Sequence, residues 1–328
     1  MMVLPRSGEI SLGALRKIAS LVKQGIYVYG NRPTGSPCKE DIGKDKEYDD
    51  LVSALWDSES YGNGKVFSGM TLDEALQTAR ILPDVHGEKL YFAHRETNDC
   101  DIYFLNNHTD SIVSGLYTFK TKYQYAQLWD AVSGKRYRLS ADKGLVTLHL
   151  SPRESCFVVF SNNNEQLDDK PLLGKRHIIN STWTIDFNCP YQRVGQMECR
   201  ELEYWNKSEN SKIRYYSGTA VYKTSFEWED AKSAVFLQLP SNNCVTEVYI
   251  NKQKAGIIWC SPWSLDVSPY LKKGKNELRL EVTNSWNNRA VGDLRLKQDK
   301  IIWKPELFVS ENSLLQDAGL QGDIMLAF

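Results

Sequence analysis

The hydrophobic period of this chain changes near residue 89, from the three-and-four spacing of helices to the alternation of strands, so no single architecture fits the whole. Before the change, Leu12, Leu15, Ile18 and Val22 fall on one face while Lys17 and Lys23 point away, and Gly25 supplies a stop. The segment MVLP precedes this helix and IYVYG follows it, ending in a turn glycine. Strand, helix and strand with short joints predict a βαβ unit with parallel pairing. After the polar loop RPTGSPCKEDIGKDKE, YDDLVSALW predicts a second helix and GKVFSG a strand, and Thr71 with Glu74 opens a third helix through a capping box. Residues 1–88 are therefore expected to form a partial doubly wound α/β domain with about three parallel strands. Because the pattern begins in mid-rhythm, the expectation is that the chain is the later part of a longer polypeptide, or that a partner completes the sheet.

From 89 to 162 the segments LYFAHRE, DIYFLNN, SGLYTF, QYAQLWD, KRYRL, LVTLHL and SCFVVF read as short strands between turn clusters, predicting a small antiparallel β-sandwich. The stretch 163–177 has no apolar period and reads as a linker. From 178 to 328 the chain is again all β. RYYSGTAVYKTSFEW reads as a strand pair around Ser217 and Gly218, and EVYINKQKAGIIW as a hairpin across the Asn251–Lys254 turn. Leu278, Leu280 and Val282 alternate with Glu277, Arg279 and Glu281, giving one buried and one wet face. About eight strands of this kind are most economically arranged as a jelly-roll β-sandwich. The fold class expected is thus multidomain, α/β plus all-β.

Composition narrows function. The 328 residues are 41% hydrophobic and 25% charged, as in ordinary globular proteins. No apolar run is longer than the five residues Cys156 to Phe160, far below the roughly 18 residues of a membrane helix, so no membrane partner is expected. Forty Lys plus Arg against 41 Asp plus Glu leave a net charge of -1 with no long basic run, which argues against nucleic acid. Seven cysteines without a CxxC pair support neither a zinc site nor a disulfide framework. No secretory signal is visible at the N-terminus. Nine Trp and 17 Tyr suit β-structure and also suit flat-faced ligands such as sugar rings.

The segments YSGTAVYKTSF and VYINKQKAGIIWCSPWSLDVSPYLKKGKNELRLEVTNSWNNRAVGD resemble the galactose-binding-like jelly roll (the family 2 sugar-binding type) that closes many glycoside hydrolases. In particular they are similar to the C-terminal end of α-L-rhamnosidases of glycoside hydrolase family 106. YFAHRETNDCDIYFLNN with LWDAVSGK looks like that family's intermediate β-domain, and LVKQGIYVYGNRPTGSP like the end of its amidotransferase-like α/β domain. The resemblance implies that the catalytic carboxylates sit on a (β/α)₈ barrel N-terminal to the segments present. No catalytic residue is therefore carried onto this sequence. The expected role is that of a non-catalytic accessory region that scaffolds the missing barrel and contacts a rhamnose-containing plant or microbial glycan. The alternative is a stand-alone, lectin-like carbohydrate-binding protein. The resemblance is compatible with a periplasmic or secreted parent, and the location stays open.

One cluster stands out as a carbohydrate contact: Asn284, Trp286, Asn288, Arg289 and Asp293 at the end of a strand, with Trp259 and Trp263. Aromatic faces stack on the CH faces of sugars, while amide, guanidinium and carboxylate groups read hydroxyls. The competing reading is that Arg289 and Asp293 clamp a loop while the tryptophans plug the sandwich. A glycosidase site within the chain would need two carboxyls roughly 5 to 9.5 Å apart. The pairs Asp49/Asp50, Asp168/Asp169 and Glu227/Glu229 are adjacent acids in polar surroundings and do not suggest one. Cys38 and His86 lack the strand-to-helix elbow of a nucleophile site. No cofactor is expected, and although calcium is common in jelly rolls, no ligand spacing identifies a metal site.

Overall fold

A computed structural model describes residues 1–87, 90–229, 234–297 and 300–328. The chain forms two compact units, Met1–His86 and Gly87–Phe328.

In the first unit the helix Leu12–Lys23 begins where the Ser11 hydroxyl accepts the Ala14 amide, and it buries Leu12, Leu15, Ile18, Ala19 and Val22. The helix Asp45–Trp56 adds Tyr48, Val52 and Leu55 to the same core, together with Val28 and Val66. Strands Met2–Val3, Val28–Tyr29 and Val66–Phe67 pair in that order, all parallel. Each pairing spans two residues, and Val3 on the outer strand is 54% exposed. The expected partial parallel sheet is present. The third helix, Leu72–Thr78, carries the expected capping box: the Thr71 amide donates to Glu74 Oε2 at 2.7 Å and the Glu74 amide to Thr71 Oγ1 at 3.3 Å.

The second unit begins with a sandwich. One antiparallel sheet runs in the order Tyr91–Glu96, Cys100–Asn106, Ser155–Ser161, Tyr125–Trp129, Arg136–Leu139. Another runs Ala141–Asp142, Leu145–Leu150, Val113–Phe119. Every segment read as a strand from period-two alternation is one. The sheets meet through Tyr103, Phe119 and Phe160, whose rings pack edge-on or tilted at 4.9 to 6.0 Å. Cys156 lies in this core, and burial pushes its thiol up to about 12, which makes it inert. The stretch read as a linker has little regular structure and is held to the sandwich by ion pairs of Arg136 with Glu165, Arg138 with Asp169 and Lys170 with Glu154.

The rest of the unit encloses one large core between two antiparallel sheets. The six-stranded sheet has the order Gln192–Cys199, Trp183–Cys189, Thr219–Trp228, Gly274–Thr283, Val245–Ile250, Gln253–Ile258. The four-stranded sheet has the order Arg176–Ile178, Met325–Ala327, Phe236–Gln238, Ser264–Asp266, so the last strand of the chain lies inside a sheet. Leu278, Leu280 and Val282 are buried as their alternation requires, and each contributes about 1.5–3 kcal/mol of burial. The hairpin turn contracts to Asn251 and Lys252, both at positive φ.

Two local readings fail here. RYYSG does not begin a strand pair: Ser211–Arg214 is a helical turn capped by the Asn210 side chain, and only Thr219–Trp228 is a strand. Tyr216 is drawn into the core against Phe187 and Trp205, and that tertiary contact overrides the local β-propensity of the two tyrosines. NNRAVGD follows the end of a strand as expected, but in a region read as all β it is part of the helix Asn287–Leu296.

Gly319 is required at its position. It sits at φ +83°, and a Cβ there would lie 2.3 Å from Trp205 Nε1, the atom that donates to Tyr222 Oη at 2.6 Å. Gly319→Ala should destabilise the second unit by about 2–4 kcal/mol in denaturant unfolding. Gly134→Ala, in open space at φ +71°, should cost only about 1 kcal/mol. A second expectation concerns pH. Hydrogen bonds from the Thr71 amide and hydroxyl hold the Glu74 carboxyl below its ordinary range. The cap is therefore complete above the ordinary glutamate pKa and is lost as the pH falls through the lowered one. Amide exchange in Leu72–Thr78, corrected for intrinsic rates, should lose protection at acid pH, and Glu74→Gln should abolish that pH dependence.

Candidate functional site

The strand Gly274–Thr283 leads through Asn284, Ser285 and Trp286 into the helix Asn287–Leu296. Six consecutive residues, Asn288 to Asp293, are buried, so this helix shows no single apolar stripe to announce it in sequence. Gly292 lets it approach Tyr215, whose Cβ would lie 2.6 Å from an added methyl. Lys297, at φ +58°, ends it.

The polar members of the sequence cluster converge at this helix and serve the backbone. Asn284 Oδ1 accepts from the Gly218 amide and its Nδ2 donates to the Tyr216 carbonyl, both at 2.9 Å. Asn288 holds the peptide of Gln316 from both sides, donating at 2.7 Å and accepting at 2.8 Å. Arg289 Nε donates to Asp293 Oδ1 at 2.6 Å, and the pair is almost wholly buried. Asp293 Oδ2 accepts from the amides of Ile301 and Ile302 at 2.9 and 2.7 Å. A buried carboxylate satisfied by a guanidinium and two amides is a structural clamp on the loop around residue 301.

The tryptophans separate. Trp263, at φ +55°, packs against the core, and its carbonyl accepts from the Leu239 amide. Trp259 is 57% exposed beyond the strand Gln253–Ile258. Trp286 is 46% exposed and meets Tyr191 in an edge-on contact, with centroids 5.9 Å apart and planes at 63°. Trp286 borders a groove of about 750 Å³ whose walls also include Tyr191, Ile302, Phe308, Asn287 and Gln316; Trp259 and Trp263 are not among its lining residues. Sequence reading missed Tyr191, Phe308 and Gln316. No local signal could have found them, because they come from a hairpin turn, a 3₁₀ turn and an irregular loop far apart in the chain.

Other chemistry is not assembled. The six acids of the adjacent pairs are exposed, and Asp169 is bound to Arg138. Among the described residues no group of three His, Cys, Asp or Glu could hold a metal ion, and no helix is long and apolar enough to cross a membrane. A depression of about 840 Å³ in the first unit is lined by opposed charges, of which Arg16 and Glu47 pair at 2.7 Å.

Removing the clamp's charge while keeping its shape isolates its contribution. Asp293→Asn should destabilise the second unit by about 1.5–3 kcal/mol, because the amide loses the charge-assisted bond to Arg289 and has only one oxygen to accept from Arg289, Ile301 and Ile302. Trp286→Ala, at a half-exposed ring, should cost less than about 1 kcal/mol in the same unfolding measurement.

A family model described as alpha-L-rhamnosidase, of glycoside hydrolase family 106, matches residues 1–142. The solved rhamnosidase from Novosphingobium sp. PP1Y superimposes with a TM-score of 0.80 at 27% identity, over 98% of this chain and 32% of that one. A curated Formosa agariphila protein, provisionally named a beta-glucuronidase, is 34% identical over 122 residues, which are 36% of this chain and 10% of that protein. The β-glucuronidase of Ruminococcus gnavus covers 48% of this chain at 15% identity, but with a TM-score of 0.36 it carries no argument. The chain thus resembles rhamnosidase-type glycoside hydrolases in sequence and fold, and it spans about a third of the solved rhamnosidase and a tenth of the curated relative.

Proposed function

We propose that this chain is a non-catalytic accessory region of an α-L-rhamnosidase-like glycoside hydrolase, which buttresses a catalytic (β/α)₈ barrel, a role implied by its resemblance to the C-terminal galactose-binding-like jelly roll and intermediate β-domain of family 106. The observation that carries this reading is the asymmetry of the structural match. Nearly all of this chain, 98%, corresponds to a rhamnosidase, yet it accounts for 32% of that protein. The buried Arg289–Asp293 clamp supports it, because the charged groups best suited to reading sugar hydroxyls are engaged in holding a loop. The glycan of the whole enzyme would be rhamnose-containing, and this region would meet it only at the rim of the pocket. The test is hydrolysis of an aryl α-L-rhamnoside and an aryl β-D-glucuronide by the purified chain. No turnover above buffer is expected for either. Saturable turnover that is lost on mutation of a carboxylate in this chain would overturn the proposal.

A second reading, carbohydrate binding in its own right, is favoured by one observation: the half-exposed indole of Trp286 borders an open groove of molecular size.

A further inference from the structure

We propose that the groove between Tyr191, Trp286 and Phe308 is a binding site for a neutral saccharide ring. The proposal goes beyond the scaffolding role and stands on the chemistry of the groove. Its volume, about 750 Å³, falls in the range of small-molecule sites. Tyr191, Trp286 and Phe308 are 68%, 46% and 76% exposed, so ring surface is available for the CH faces of a sugar.

Polar groups complement the rings. Asn287 Nδ2 donates to the Leu314 carbonyl and to Asn288 Oδ1, both at 3.3 Å, while Asn287 Oδ1 has no partner among the described residues. Gln316 Oε1 accepts from Ser285 Oγ at 2.9 Å, while its Nε2 has no partner among them. Each amide is thus held at one end and keeps a hydrogen-bonding atom at the other: one acceptor and one donor on residues that line the groove. That combination suits a hydroxyl, which is both donor and acceptor, and the fixed ends lower the ordering cost of binding. Tyr191 adds a phenol that likewise has no partner among the described residues.

Charge selects among sugars. No described residue lining the groove is charged, so none of these offers a uronate or a sugar phosphate a counterion in return for its lost water. The walls are also firm. Asp293 pins the amides of Ile301 and Ile302, and Asn288 pins the peptide of Gln316, so the groove is shaped before a ligand arrives. The residues that sequence reading assigned to sugar hydroxyls act here as positioning residues for the walls of the groove.

The test is calorimetric titration and saturation-transfer NMR of the full chain with methyl α-L-rhamnoside, methyl β-D-glucoside and sodium D-glucuronate. Saturable binding of at least one neutral glycoside is expected, in the weak range of a single ring in an open groove, with no binding of glucuronate. Trp286→Ala should weaken binding roughly tenfold or more and Gln316→Ala about threefold, whereas Trp259→Ala should leave it unchanged. Thermal melts of each variant report folding, and should Trp286→Ala not fold, Trp286→Phe and Gln316→Ala carry the comparison. Three results would overturn the site: no saturable binding of either neutral glycoside, equal binding of glucuronate, or binding indifferent to Trp286 and Gln316. An adventitious surface interaction would give the last of these. Turnover is a separate readout, so failure here leaves the accessory reading standing.

Discussion

The ten-residue ladder between Thr219–Trp228 and Gly274–Thr283 organises most of the second unit. One face of this strand pair carries Ala220, Tyr222, Phe226, Leu278, Leu280 and Val282 into the large core, which both sheets of the sandwich share. The Tyr222 hydroxyl accepts from Trp205 Nε1, and Trp205 in turn leaves no room for a side chain at Gly319. From there the chain runs to its last strand, Met325–Ala327, which pairs with Arg176–Ile178 on one side and Phe236–Gln238 on the other. A core closed this way ties the start of the sandwich to its end, so local loosening at either strand is opposed by the other.

The ladder also fixes where the groove forms. Its second strand delivers the chain to Asn284, which ties the strand end to Tyr216 and Gly218, and the helix Asn287–Leu296 then starts beside the Tyr191 turn. Asp293, reached one turn after Arg289, fastens the returning loop. A buried ion pair is a poor source of net stability, because desolvation consumes most of the attraction. Its value here is geometric, since two amides of one loop share a single carboxylate oxygen and are held in one conformation.

Much of the architecture was legible in the sequence, and the reasons are local. The helix Leu12–Lys23 has a serine cap and a one-sided apolar face, Leu72–Thr78 has its capping box, and the strands between 91 and 161 alternate with period two. Each of these signals lies within one element and survives any packing. The failures are the segments whose conformation is set from outside. Ser211–Arg214 carries two tyrosines behind it that read as strand, yet Tyr216 follows the core and not its own propensity. The helix Asn287–Leu296 is buried on too many sides to show a stripe.

The candidate site divides along the same line. Asn284, Asn288, Arg289 and Asp293 were recognisable as a set because they are close in sequence and chemically rich, but spacing cannot tell whether such groups face a ligand or a backbone. That depends on which amides come within hydrogen-bond reach, and here Gly218, Ile301, Ile302 and Gln316 do. Periodicity and caps, which act over a few residues, were enough to specify the parallel α/β unit and the alternating strands, whereas the relationship to glycoside hydrolases came from the resemblance of whole segments. The groove belongs to long-range packing, because Tyr191, Trp286, Phe308 and Gln316 become neighbours only when the sheets close over their shared core.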